Sequence, residues 1–155
     1  MSIKLRVMEM VKSIFRFLME EGFYPTYEKT HITFEFEDNP ATLEYEKGLL
    51  TIRIFFTIDE ESYDMFLDAG NSTMSGTVGV KPVVLEDHKT LMFCAETMCD
   101  NMREFKKFFP RSLWNIKDSL MVHRKFMKSL LQKNMLDQNL YTHNDEYDSA
   151  KKFCS

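Results

Sequence analysis

The N-terminal segment has the residue spacing of an amphipathic helix. Its polar residues recur at steps of three and four, and they are Ser2, Arg6, Glu9, Ser13, Arg16 and Glu20. One solvent-facing stripe on an α-helix produces this spacing, so it predicts a helix over 2–21 with Gly22 as its left-handed stop. Apolar residues occupy more than half of the helix circumference, and we therefore expect the helix to pack against two neighbours.

Strict alternation of apolar and polar residues follows and predicts β-strands over 31–37 and 42–46, joined by a turn at 38–40. A third alternating run, 50–58, places Leu and Ile side chains on one face and mostly polar side chains on the other. Together the three runs predict an antiparallel meander that is apolar on one side and mostly polar on the other.

The middle of the chain predicts a second helix and two more strands. A capping-box pattern over 57–60 indicates the start of the helix, and we expect the helix to fray at 70–72. The strands are predicted over 77–85 and 90–98. Because Pro82 has no N–H to donate to a ladder, the first of these strands is expected at a sheet edge or at a bulge.

The C-terminal part predicts a short helix over 101–109 and a longer one over 110–133, with Pro110 in the first turn of the longer helix. The predicted order is α-β-β-β-α-β-β-α, an α+β fold in which helices pack on one face of a five-stranded antiparallel sheet. A polar run rich in Asp, Asn, His and Ser then begins. We therefore expect a single domain over 1–133 and a polar appendage over 134–155.

The composition fits this architecture and narrows the functional classes. Of 155 residues, 44% are apolar and 14% aromatic, enough to bury a core without disulfides or metals. The formal net charge of −4 disfavours general nucleic-acid binding. Three cysteines without a CxxC pair indicate neither a disulfide framework nor a zinc finger. Charged residues interrupt every apolar run at the N-terminus, so we expect a cytoplasmic protein with no membrane partner.

Four segments resemble those of the YbjN-like family of bacterial proteins, and the resemblance extends over about residues 5–133. They are the helix over 10–22 that ends in Glu-Gly, the strand ITFEFE, the strand-to-helix junction LLTIRIFFTIDEE and the strand TLMFCAE. The shared features are patterns of hydrophobicity and include no catalytic residues.

The resemblance to the YbjN-like family implies the fold of the class I type III secretion chaperones. Those are small, acidic, cytoplasmic and often dimeric proteins that hold a partner polypeptide and perform no chemistry. The family label is that of a sensory transduction regulator. A basic C-terminal helix and a polar tail distinguish this chain from the secretion chaperones.

Motifs for catalysis and metal binding are missing from the sequence. It contains no GxxxxGK[ST], GxGxxG or HExxH pattern. His31 and Glu35 share a strand face, but four residues of strand separate them by about 13 Å, too far to share an ion. Cys94 and Cys99 are expected to be buried, unreactive thiols, and His123 is expected to be a core histidine. We expect no enzyme, no metal and no cofactor.

Apolar residues on the otherwise polar face of the sheet are the sequence feature that indicates a function. Phe55 points away from the apolar face, and Met92, Cys94 and Met98 share one face of the last strand. Exposed apolar patches tend to be binding sites, and flexible Met side chains adapt to varied partners. We expect a homodimeric interaction module that binds a partner polypeptide through this face or a strand edge, using Arg53, Phe55, Met92, Cys94 and Met98. Cover by the tail, or by the first helix of a second subunit, stays an open alternative.

Charge is distributed unevenly along the chain and supports a second hypothesis. Residues 28–61 contain nine acids and three bases, whereas residues 103–133 contain nine bases and two acids. The hypothesis is a nucleic-acid or anionic-surface binder that uses Lys106, Lys107, Arg111, Lys117, Arg124, Lys125 and Lys128. The aromatic residues in this segment are Phe105, Phe108, Phe109 and Trp114. They would stack on bases under this hypothesis, but their helical spacing favours core packing.

Overall fold

The computed structural model describes residues 2–76 and 79–142, which form three helices and six antiparallel strands. The helices are α1 (Ile3–Glu20), α2 (Tyr63–Gly76) and α3 (Met102–Thr142). The strands are β1 (Thr26–Tyr27), β2 (Ile32–Phe36), β3 (Asn39–Glu46), β4 (Leu49–Thr57), β5 (Val80–Val84) and β6 (Thr90–Met98). In the sheet the strands lie in the order β1-β2-β3-β4-β6-β5. The α+β class and the packing of helices on one face are as predicted.

Helix α1 begins where Ser2 caps it, because the Ser2 hydroxyl accepts a hydrogen bond from the Leu5 amide at 3.2 Å. The helix buries Met10, Ile14 and Leu18, one residue per turn. It ends before Gly22, whose φ of 81° is the left-handed stop that the sequence predicted. The two expected neighbours of α1 are strand β3 and helix α3.

The predicted meander of three strands is confirmed as β2, β3 and β4, but the predicted count of five strands is wrong. The sixth strand, β1, pairs Thr26 with Thr33 and Tyr27 with Ile32. Two residues are too few for a pattern of alternation, so only the tertiary pairing identifies this strand. The prediction for Pro82 is confirmed, since β5 lies at the other edge of the sheet. Residues 77 and 78 of the strand predicted over 77–85 lie outside the described residues.

The second helix starts later than the predicted capping box. Thr57 is still part of β4, where it pairs with Thr90. The cap is Asp59, whose carboxylate accepts a hydrogen bond from the Glu61 amide at 3.1 Å and begins a short 3-10 turn ahead of α2. The helix also does not fray at 70–72, because it packs on β5 and buries Ala69 and Gly70 there.

One continuous helix replaces the two that were predicted on either side of Pro110. Asn101 caps α3 by accepting a hydrogen bond from the Glu104 amide at 2.9 Å. The helix then passes through exposed Pro110 and past residue 134 to Thr142. Proline inside a helix costs about 3 kcal/mol, but α3 buries large side chains on both sides of it, which offsets that cost. The division of the chain at 134 stays a prediction, and residues 143–155 lie outside the described residues.

Phe109 of α3 is the centre of the core between the helices and the sheet. Its ring centroid lies 5.2–5.9 Å from those of Phe17, Phe23, Phe34 and Phe105. These rings come from α1, the loop after it, β2 and α3. The aromatic cluster therefore connects both ends of the chain to the meander.

Among the described helices, none has a stretch long and apolar enough to cross a membrane.

Candidate interaction surface on the open sheet face

The register of the strands places alternate side chains on opposite faces of the sheet. In β4, Ile52 and Ile54 are buried under the helices, whereas Arg53 and Phe55 point to the other side. We call that other side the open face, because no described element packs on it. All five residues predicted to bind a partner lie on the open face.

Three apolar side chains on neighbouring strands form a row across the open face. Phe55 of β4 pairs with Met92 of β6, and Met92 pairs with Val83 of β5. Adjacent strands are about 4.8 Å apart, so the three side chains are contiguous. Val83 is 40% exposed, and Phe55 and Met92 are half-buried. We refer to Phe55, Met92 and Val83 as the apolar row.

The next row combines charge with a buried thiol. Arg53 pairs with Cys94, and Cys94 pairs with Lys81. An Arg53 nitrogen lies 3.3 Å from a Glu44 carboxylate oxygen on β3, an ion pair at the surface. Burial raises the pKa of the Cys94 thiol, so the thiol stays protonated and weakly nucleophilic at neutral pH. Arg53 and Cys94 thus border the apolar row with a paired charge and a protonated thiol.

Met98 lies apart from the other predicted residues. It pairs with Leu49 at the far end of β6 and is 61% exposed. Six residues of strand separate it from Met92, which corresponds to about 20 Å. The fold therefore brings Phe55 and Met92 together, and Arg53 and Cys94 together, but it does not bring Met98 to either pair.

Val83 is the member of the apolar row that sequence reasoning missed. Alternation within β5 places Val80, Pro82 and Val84 towards the helices, and Lys81 and Val83 on the open face. The alternation within β5 is visible in the sequence, but the sequence does not show which strand pairs with β5. Only the pairing of β5 with β6 places Val83 beside Met92.

Both edges of the sheet are poorly suited to accept another strand. Edge strand β1 has two residues, and edge strand β5 has five with Pro82 in the middle. Proline cannot donate a ladder hydrogen bond, and short or proline-containing edges are devices that prevent strand addition. The geometry therefore favours the open face over the strand edges as a docking surface.

The open face is net acidic. Its carboxylates are Glu35, Glu44, Glu46 and Glu96, and its bases are Arg53 and Lys81. The Arg53 charge is already paired with Glu44. An incoming segment that places bases beside its apolar residues would complement this surface.

No three His, Cys, Asp or Glu side chains in the described part of the chain are grouped closely enough to hold a metal ion. The Nδ1 atom of His31 lies 3.2 Å from the Thr30 hydroxyl oxygen, and the Glu37 carboxylate forms an ion pair with the Lys117 ammonium group at 2.7 Å. Cys94 and Cys99 are both buried and free, as predicted.

His123 is a core histidine, as predicted. It is 1% exposed, and its Nε2 atom lies 3.3 Å from the Phe66 carbonyl oxygen. The rings of Phe66 and Phe93 pack against it. Burial lowers the pKa of the imidazole, and the hydrogen bond to Phe66 opposes that effect.

The aromatic residues of the basic segment do not share one environment. Phe105 and Phe109 are fully buried, and Phe108 packs against the core, as their helical spacing predicted. The core prediction is wrong for Trp114, which is 64% exposed on α3. Trp114 thus lies on the surface among the bases of that helix.

Solved structures with the same fold support the predicted resemblance. YbjN from E. coli, described as "a putative transcription regulator", matches with a TM-score of 0.59 and 11% identity, over 74% of this chain and 89% of that chain. An uncharacterized protein from Methanothermobacter thermautotrophicus matches with a TM-score of 0.55 and 13% identity, over 76% of this chain and 96% of that chain. No family model and no curated protein matches. The resemblance to YbjN is confirmed at the level of the fold.

Proposed function

We propose that this protein is a non-enzymatic regulatory module that binds a helical segment of a partner polypeptide on its open face. The observation that carries the proposal is the apolar row, in which Phe55, Met92 and Val83 of three adjacent strands are contiguous and partly exposed. A soluble domain gains nothing in its own stability from such side chains on the outside of a sheet. A partner that covers them removes apolar surface from water.

The partner segment is proposed to be an amphipathic helix with basic flanks. The apolar row crosses three strands, about 10 Å, which matches the width of one helix. Glu44 and Glu96 lie four residues along the strands from the apolar row, about 13 Å, so a helix that lies along the strands can place lysines or arginines beside them. Full burial of a Phe or Met side chain contributes about 1.5–3 kcal/mol, so the row supplies a hot spot of modest affinity.

A regulatory role is supported by the description of YbjN, which shares the fold, as "a putative transcription regulator". A chaperone-like role, in which the module holds its partner without chemistry, follows from the predicted likeness to secretion chaperones. The free thiols of Cys94 and Cys99 suit a reducing compartment, and we propose that the protein acts in the cytoplasm.

We also propose that, in the absence of the partner helix, the protein is a homodimer in which α1 of one copy occupies the open face of the other. The first turns of α1 expose Leu5 and Met8, which are three residues apart on one side of the helix, and the exposed bases Lys4 and Lys12 lie beside them. This segment has the chemistry that the open face complements. Multi-angle light scattering should then give the mass of a dimer, and Leu5→Thr with Met8→Thr should give that of a monomer. A monomeric native protein contradicts the homodimer and leaves the open face free for other partners.

The test of partner binding uses a fluorescent amphipathic peptide of leucine and lysine as the probe, with fluorescence anisotropy as the measurement. The test variant is Phe55→Thr with Met92→Thr, because threonine suits an exposed strand. The matched control is Leu49→Thr with Met98→Thr at the far end of the same face. We expect the test variant to weaken binding at least tenfold and the control to stay within twofold.

A second peptide, with glutamate in place of lysine, tests the charge argument. It is expected to bind at least tenfold more weakly than the lysine peptide. Circular dichroism of each variant confirms that the fold is kept. Equal binding by the test and control variants, or tight binding of the acidic peptide, contradicts the proposal.

A further inference from the structure

The outer side of α3 is a continuous basic surface. The inner side buries Phe105, Phe109, Ile116 and His123. The opposite side presents eight exposed bases at helical spacing, and they are Arg103, Lys106, Lys107, Arg111, Lys117, Arg124, Lys125 and Lys128. One exposed acid, Asp118, lies among them. We call these eight bases the basic face.

Bulky apolar side chains lie along the midline of the basic face. Trp114 is 64% exposed and Met121, two turns later, is 51% exposed. On the same side near the end of the helix, Met135 and Leu136 are also exposed. The inner side of α3, where Phe105 and Phe109 are buried, makes the core contacts, so core packing does not account for these exposed apolar side chains. Apolar residues in the middle with bases on both flanks form the pattern of a helix that lies on a membrane surface.

Helix α1 extends the basic surface beyond α3. A cleft of about 220 Å³ between the two helices is lined by Ser13, Arg16, Glu20, Met102 and Lys106, among others. Arg16 and Lys106 thus place a base on each side of the cleft, and Ser13 adds a hydroxyl. The cationic surface is therefore wider than one helix.

Charge is separated between the two sides of the molecule. The basic face and Asp118 carry a formal charge of +7, whereas the four carboxylates and two bases of the open face carry −2. Among the described residues, Lys117 makes the only ion pair from this face, with Glu37. Such a separation turns the basic face towards an anionic surface and the acidic open face away from it.

We propose that the basic face of α3 docks on a membrane surface rich in anionic phospholipid, with α3 in the plane of the membrane. From Arg103 to Lys128 the bases extend about 37 Å along the helix, and a flat surface can contact all of them. Trp114 would lie at the level of the headgroups, and the flanking lysines and arginines would reach the lipid phosphates.

A nucleic acid fits the same face less well. Proteins that bind single strands use a groove with several stacking aromatic residues, whereas Trp114 is the one exposed aromatic residue between residues 102 and 136 of α3. The exposed Met121, Met135 and Leu136 have no role on a phosphate backbone. The sequence led us to expect no membrane partner because it has no spanning segment, but docking on the surface requires none. The proposal is independent of the function proposed for the open face.

The test uses Trp114 itself, because it is the only tryptophan of the chain. Full-length protein is mixed with vesicles of phosphatidylcholine and phosphatidylglycerol in a ratio of seven to three, and in parallel with pure phosphatidylcholine vesicles. We expect a blue shift of tryptophan emission and co-sedimentation with the anionic vesicles only, and loss of both at high salt.

Charge reversal identifies the surface that binds. The test variant combines Lys107→Glu, Arg111→Glu and Lys125→Glu. The matched control, Lys29→Glu with Lys81→Glu and Lys89→Glu, changes the net charge equally at exposed sites away from α3. Partitioning of the test variant is expected to fall at least about 100-fold, and that of the control to fall less than tenfold.

Two results overturn the proposal. The first is no spectral shift and no co-sedimentation with anionic vesicles at low salt. The second is an equal loss of binding in the test and control variants, which would reflect net charge alone. A single-stranded oligonucleotide serves as the competing probe. If the oligonucleotide shifts the emission of Trp114 and the vesicles do not, the basic face binds nucleic acid and not a membrane.

Discussion

Acidification below pH 6.5 is expected to destabilise the protein through the buried imidazole of His123. The imidazole is enclosed by the rings of Phe66 and Phe93, and its only hydrogen bond among the described residues is to the Phe66 carbonyl. Burial lowers its pKa from the ordinary value of 6.5. The folded state therefore holds the neutral form at a pH where the unfolded chain takes up a proton.

The sign and the size of the effect follow from proton linkage. Below pH 6.5 the unfolded state binds one proton more than the folded state, so the free energy of unfolding falls as the pH falls. Above pH 6.5 the contribution of His123 to stability is complete. The loss is at most about 1.4 kcal/mol for each pH unit below that value, and it ends at the pKa of the folded state.

The assay is urea denaturation followed by circular dichroism at pH 7.5 and at pH 5.5, for the native protein and for His123→Gln. Glutamine does not titrate and can still donate a hydrogen bond to the Phe66 carbonyl. Carboxylates change both proteins in the same way, so their effect cancels in the difference. We expect the native protein to lose more stability than the variant between the two pH values, by at most about 1.4 kcal/mol.

A parallel loss of stability in both proteins would refute this reasoning. If His123→Gln does not fold, an NMR titration of the imidazole of His123 in the native protein replaces the comparison. A midpoint at or above 6.5 would then contradict the burial argument.

Two further predictions concern glycine substitutions and the aromatic residues of α3. Gly70→Ala is expected to stabilise the protein by about 0.5–1 kcal/mol, because alanine favours the helix and its Cβ would meet Pro82 at an ordinary distance of 3.9 Å. Gly48→Ala, at a φ of 79°, is expected to destabilise it, and thermal denaturation compares the two variants. Phe109→Ala is expected to cost about 3–5 kcal/mol in urea denaturation, whereas exposed Trp114→Ala changes stability by less than about 0.5 kcal/mol. Equal effects at Phe109 and Trp114 would contradict the assigned core.

Local patterns in the sequence determine much of this fold. Alternation over 31–58 predicted the meander and placed Arg53 and Phe55 on the face away from the core. The missing amide of Pro82 predicted an edge strand, and Gly22 predicted the end of the first helix. Each inference depends on residues within one element, where a period of two or of about 3.6 is set by backbone geometry.

Only the tertiary structure decided which elements meet. The pairing of β5 with β6 brings Val83 beside Met92, and the length of β6 keeps Met98 away from both. Helix α3 continues through Pro110 because core contacts on both sides offset a missing hydrogen bond. Trp114 lies nine residues from Phe105, about half a turn round the helix axis, and it is exposed because the packing of the core selects the side of α3 that holds the phenylalanines. The period of a pattern identifies a face, but the free energy of burying that face depends on neighbours that are distant in sequence.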